Sequence, residues 1–97
     1  MNTLHHFSDH LYAKEMRVPA GMAVVKHVHD YSHLSVLAKG TVTVIVDGTQ
    51  MEISGPACLN IEAGKIHGVI AKTDVVWYCI HATDEKDPAK IDEVLIA

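Results

Sequence analysis

The segment Gly21–Gly40 reads GMAVVKHVHDYSHLSVLAKG and places His27, His29 and His33 within seven residues. His27 and His29 are two apart, so on an extended strand both imidazoles point to one face. Val24, Val25 and Val28 favour such a strand over Met22–His29. Asp30-Tyr31-Ser32 interrupts the apolar pattern, and His33 opens a second apolar run that ends at Ala38. A turn between the two runs would bring His33 back beside the first pair. Neutral imidazole offers a lone pair near physiological pH, which makes histidine the commonest metal ligand. Three converging imidazoles would supply half an octahedral shell, and His67 is available downstream as a fourth.

The flanking sequence repeats the same grammar of short strands and tight turns. Leu11–Val18 alternates weakly and is closed by Pro19-Ala20-Gly21, a turn signal. Thr41–Val46, TVTVIV, is a strong strand, and Asp47-Gly48 suits a type I′ hairpin turn into Thr49–Ile53. Ser54-Gly55-Pro56 breaks the chain again. Ala57–Ile61 then reads as a strand, Glu62–Lys65 as a turn and Ile66–Ala71 as a strand carrying His67. After Lys72-Thr73-Asp74, Val75–His81 is the most apolar strand. Trp77, Cys79 and His81 share one of its faces, and Trp77 and Cys79 are expected to wall an interior pocket. Evenly spaced strands between Gly, Pro and Asp turns predict an all-β antiparallel sandwich or barrel.

The two ends differ from this pattern. Residues 1–10 are polar, with no clear period, and read as a loosely ordered terminus. His6 and His10 are four apart, a spacing that on a helix would permit two-point metal binding. At the other end, Asp87 is an N-cap followed by Pro88 at the first helical position, which predicts a short helix over 87–96.

Composition limits the alternatives. A chain of 97 residues makes one domain, 1–97. With 48% hydrophobic and 21% charged residues it reads as soluble and globular, and its apolar runs are strand-length rather than membrane-spanning. A formal charge of −4, with eight scattered Lys and Arg, argues against a nucleic-acid partner. The N-terminal residues lack the pattern of a signal peptide, so a cytoplasmic protein is expected, with Cys58 and Cys79 as reduced, buried thiols. No Ser-His-Asp order, phosphate-cradling glycine loop or Cys-x-x-Cys pair is present.

The spacing Gly21-x5-His27-x-His29-x3-His33-x6-Gly40 resembles the first motif of the cupin superfamily, G-x5-H-x-H-x3-E-x6-G, with His33 in place of the glutamate. The second cupin motif, G-x5-P-x-G-x2-H-x3-N, is matched at Gly64 and His67. Glu62 stands where proline is usual and Ala71 where asparagine is usual, and Gly55 is one residue off the leading glycine. The resemblance implies a small cupin-like jelly-roll barrel with His27, His29, His33 and His67 as metal ligands. That set looks like the four-histidine cupins known among small manganese or iron proteins.

Each chain would then hold one divalent transition metal, with manganese or iron working in function and nickel, zinc or copper as species acquired on purification. Raw affinity favours copper, nickel and zinc over manganese and iron. Four neutral imidazoles leave the metal charge uncompensated and two octahedral positions open, which suits an anionic, chelating small molecule, or substrate and O₂ side by side. A metal-dependent, oxygenase-type enzyme is the first expectation, and a non-catalytic metal- or ligand-sensing module the second. Tyr31, between the ligands, is expected at the pocket mouth, and Glu62 is a candidate general base. A small barrel with apolar outer strands is further expected to form a homodimer.

Overall fold

The computed structural model describes residues 2–25, 32–62 and 67–91. Among them are nine strands in two antiparallel sheets: β1 (Asn2–Ser8), β2 (Leu11–Val18), β3 (Ala23–Val25), β4 (His33–Lys39), β5 (Thr41–Val46), β6 (Thr49–Ser54), β7 (Ala57–Ile61), β8 (His67–Ala71) and β9 (Val75–Ala82). One sheet has the order β1-β2-β9-β4-β7, the other β3-β8-β5-β6. The two sheets form a cupin-like jelly roll that is not closed into a continuous barrel.

Turn chemistry places the strand ends where the sequence predicts them. Asp47 and Gly48 both have positive φ, 50° and 79°, the backbone of a type I′ hairpin between β5 and β6. Gly40 has φ of 96°, and a Cβ there would collide with the backbone oxygen of Asp74 and with Val75. This position, the closing glycine of the first histidine motif, therefore admits only glycine as the chain passes from one sheet to the other.

The core lies between the sheets. Met16, Leu37, Val75 and Trp77 from the first sheet pack on Val24, Val42, Val44, Val69 and Ala71 from the second. Strand β9 alternates strictly, burying Val75, Trp77, Cys79 and His81 while Val76, Tyr78 and Ile80 face outward and are half-buried. That is the face division expected from its sequence.

Two expectations are corrected. The N-terminal residues are not loose: β1 pairs with β2 along its whole length, from Asn2↔Arg17 to Ser8↔Leu11. Side chains reinforce this pairing, because Phe7 packs on Tyr12 with ring centroids 5.2 Å apart and the Tyr12 hydroxyl lies 2.6 Å from His5 Nδ1. Cys58 is exposed rather than buried, being on the outward face of β7, and neither cysteine is in a disulfide. At the C-terminal end, the Asp87 carboxylate caps the Ala89 amide at 2.9 Å, and Lys90 and Ile91 return hydrogen bonds to the Asp87 carbonyl. This single turn buries Ile91 against Tyr12 and Phe7, and the rest of the expected helix lies outside the described residues. No helix among the described residues is long and apolar enough to cross a membrane.

Candidate metal centre

Strand register sets up the site. On its inward face β9 meets β2 through Trp77↔Met16, Cys79↔Lys14 and His81↔Tyr12. On its other side it meets β4 through Trp77↔Leu37 and Cys79↔Ser35. The lowest of these bands, Met16–Trp77–Leu37, is wholly apolar. The next, Lys14–Cys79–Ser35, carries a cation, a thiol and a hydroxyl. The uppermost brings His81 beside Tyr12 and against the His33 ring. Polarity therefore rises along the sheet toward the end where β9 finishes and β4 begins.

At that end, one Nδ1 or Nε2 of His33 and of His81 and the Sγ of Cys79 all lie within 4.8 Å of one another. All three residues are buried, at 6%, 4% and 9% exposure, so water competes little for the donors. The two imidazoles stack with centroids 4.6 Å apart and planes 29° off parallel. Tyr12, fully buried, stacks on the far side of His81 with centroids 6.3 Å apart. A cluster of two imidazoles and one thiol is a donor set that can hold a transition-metal ion.

The sulfur has its own environment. The Trp77 indole N–H donates to Cys79 Sγ at 3.3 Å, and the Ser35 hydroxyl donates at 3.8 Å. Burial pushes the Cys79 thiol above its usual range, while these two donors and the Lys14 charge pull it back in part. Without a metal, Cys79 is a protonated, unreactive thiol near neutrality.

A second polar cluster sits on the opposite, outward face of the same sheet. Glu15 is buried at 6% exposure and accepts hydrogen bonds from His6 Nε2 at 2.9 Å, the Tyr78 hydroxyl at 3.0 Å and Arg17 Nε at 3.2 Å. The His6 bond, aided by those from Tyr78 and Arg17, holds the Glu15 carboxyl below the ordinary range despite burial. The Tyr78 phenol is correspondingly raised, chiefly because it donates to that carboxylate.

Of the residues singled out from sequence, His33, Trp77 and Cys79 fall at or directly beneath this centre. His67 opens β8, its backbone in register with Val46. His27, His29 and Tyr31 lie outside the described residues. Glu62 follows β7 and is exposed. The residue that sequence reasoning passed over is His81. Its inward position was readable from the alternation of β9, but its meeting with His33 depends on the β4–β9 register. A separate cavity of about 300 Å³, lined by Arg17, Val18, Pro19, Lys39, Asp74, Val75 and Val76, lies at the other end of β9. Six residues of strand, about 20 Å, separate Val75 from His81, so this cavity is not part of the centre.

The fold agrees with comparisons to known proteins. No curated protein matches the chain in sequence. Among solved structures, a cupin superfamily protein from Desulfitobacterium hafniense superposes with a TM-score of 0.71 at 19% identity, covering 86% of this chain and 79% of that one. A Cupin 2 conserved barrel domain protein from Salinispora arenicola gives 0.72 at 16% identity, covering 94% and 79%. At these identities the likeness concerns the fold alone. The family model described as a cupin domain matches residues 14–81, from within β2 to within β9 and with the whole His33–Cys79–His81 cluster, and the chain belongs to the cupin family.

Proposed function

We propose that this cupin binds one divalent transition metal at the polar end of the sandwich and acts there on a small, anionic, chelating molecule as a metal-dependent enzyme of the oxygenase type. The ligands in this reading are His27, His29, His33 and His67, and manganese or iron is the working ion. The observation that carries it is the burial of His33, 6% exposed, on the inward face, at the position where the first histidine motif has a ligand. Buried imidazoles at the edge of an apolar core fit a transition metal better than they fit calcium or magnesium, which take oxygen ligands.

A bound metal would supply a Lewis acid and a template that orients a chelating molecule. The chain's own contribution is binding and exclusion of water. Lys14, half-buried and in register with Cys79, adds positive charge beside the donors, which favours an anion there. Trp77 and Leu37 close the floor beneath the donors, and Tyr12 and Ile91 close one side.

A second reading, binding or sensing without catalysis, is favoured by Cys79. A thiol among the donors offers the metal a further protein ligand and leaves fewer positions for a substrate. For either reading a homodimer is proposed, supported by the outward band of Leu34, Val36, Ile80 and Tyr78 across β4 and β9, in which Leu34 is 48% exposed.

The test is elemental analysis of the protein and of the His27→Ala/His67→Ala variant, each produced in manganese- and iron-supplemented medium. About one manganese or iron per chain in the parent and none of either in the variant is expected for a four-imidazole site. Equal manganese or iron in both would rule out His27 and His67 as ligands.

A further inference from the structure

We infer that Cys79 and His81 form, with His33, a mixed sulfur–nitrogen site for a thiophilic ion such as zinc or copper(I). Neither Cys79 nor His81 belongs to the histidine motifs. The inference shares His33 with the function proposed above but does not use His27, His29 or His67, so either can fail alone.

Three observations converge on it. The first is proximity: the three donor atoms lie within 4.8 Å of one another. Ligand atoms around a tetrahedral ion, with bonds of about 2.0–2.3 Å, are separated by about 3.3–3.8 Å. Closing the difference takes roughly 1 Å of side-chain movement, within reach of χ rotations of Cys and His on a fixed backbone. The stacked imidazoles must tilt apart as they turn their lone pairs to a common point.

The second is the shell around the sulfur. Trp77 Nε1–H and Ser35 Oγ–H both aim at Cys79 Sγ, at 3.3 Å and 3.8 Å. A neutral thiol is a weak acceptor, whereas a metal-bound thiolate is a strong one and gains from each donor. Lys14, in register with Cys79, contributes positive charge to the same sulfur.

The third is chemistry. Zinc takes thiolate and imidazole donors together and with three protein ligands keeps one open position, and thiolate softness also selects copper(I) over manganese or iron. Binding displaces the thiol proton to solvent: the S–H bond breaks, the S–metal bond forms, and no redox partner is needed. An ion held here takes His33 as a ligand, so it would compete with occupation of a four-histidine site.

Cobalt(II) is the probe, because thiolate coordination gives an intense near-ultraviolet charge-transfer band that imidazole coordination lacks. Reduced protein titrated with cobalt(II) is expected to show that band at one ion per chain. The band should vanish in Cys79→Ser, weaken in His81→Phe, and persist in Cys58→Ser and in His27→Ala/His67→Ala. Zinc added in equal amount should abolish it. Cobalt bound by the parent without the band overturns the inference while leaving a four-histidine site intact. A band that survives Cys79→Ser, or one lost in His27→Ala/His67→Ala with the fold retained by circular dichroism, overturns it equally. The parent spectrum decides the question even if a Cys79 variant fails to fold.

Discussion

The imidazoles of His33 and His81, on neighbouring strands, lie face to face with centroids 4.6 Å apart. Stacking of this kind keeps two potential ligands ordered side by side without a metal. His81→Phe keeps a flat ring between His33 and Tyr12 and removes only the donor nitrogens. The variant should fold, and its melting temperature without metal should stay close to that of the parent. Zinc at a hundredfold excess over Kd stabilises the parent by about 2.7 kcal/mol through linkage. In His81→Phe the affinity should fall about tenfold or more, with that gain reduced by about 1.4 kcal/mol or more. Equal zinc-induced shifts in the two proteins would remove His81 from the ligand set.

Glu15 offers a pH test on the opposite face of the sheet. Its carboxyl titrates below the ordinary carboxylate range in the folded chain because His6, Tyr78 and Arg17 donate to the ionised form. Between the lowered folded value and the ordinary unfolded one, the unfolded chain binds more protons, so stability rises with pH through that window. The contribution is fully present above the unfolded carboxyl range and disappears as pH falls through the folded value. Thermal unfolding of the parent and of Glu15→Gln as a function of pH should therefore give a gap that is widest near neutrality and narrows below about pH 4.5. A gap that is constant with pH would mean that the charge on Glu15 is not what the three donors stabilise.

Much of the architecture is legible before any coordinates. The alternation in Val75–His81 predicts which face of β9 is buried, and Asp47-Gly48 predicts the hairpin between β5 and β6; both are present. These are local signals, carried by residues that are neighbours in the chain. Strand β1 is harder to read because it is mostly exposed and polar, with only His5 and Phe7 half-buried against Tyr12, and its turn into β2 puts His10 rather than glycine at positive φ. The His33–His81 meeting is less legible still. It requires β9 to insert between β2 and β4, in a register set by core packing of Met16, Trp77 and Leu37 rather than by the histidines. A spacing motif such as Gly21–Gly40 points to the donors it contains, and donors brought in from a strand 48 residues further on fall outside it.

Two positive-φ glycines, Gly40 and Gly48, separate conformational cost from steric cost. At Gly48 an added Cβ meets nothing within 4 Å, so Gly48→Ala should lose only the cost of the left-handed backbone, about 1–2 kcal/mol. At Gly40 the same methyl runs into the Asp74 carbonyl and Val75, which are held by the start of β9. Gly40→Ala should therefore lose more than Gly48→Ala by at least about 1–3 kcal/mol, read by urea denaturation at matched pH. Equal losses would mean that the Gly40–Asp74 approach can open at no cost.

Cys58 and Cys79 should divide cleanly in a thiol titration. Cys58 is on the outward side of β7 and exposed, while Cys79 is buried between the sheets with its thiol held protonated by that burial. Only the thiolate attacks a disulfide reagent, so both access and protonation protect Cys79. Native protein treated with an aromatic disulfide at mildly alkaline pH should release one equivalent quickly, and the second only at the rate of opening or on addition of denaturant. Cys58→Ser should abolish the fast equivalent and leave the slow one. Trp77→Phe, which removes the indole donor to the sulfur and part of the core, should speed the slow phase by making opening easier. Two fast equivalents in the native parent would place Cys79 in contact with solvent and would undo the buried character of the centre it shares with His33 and His81.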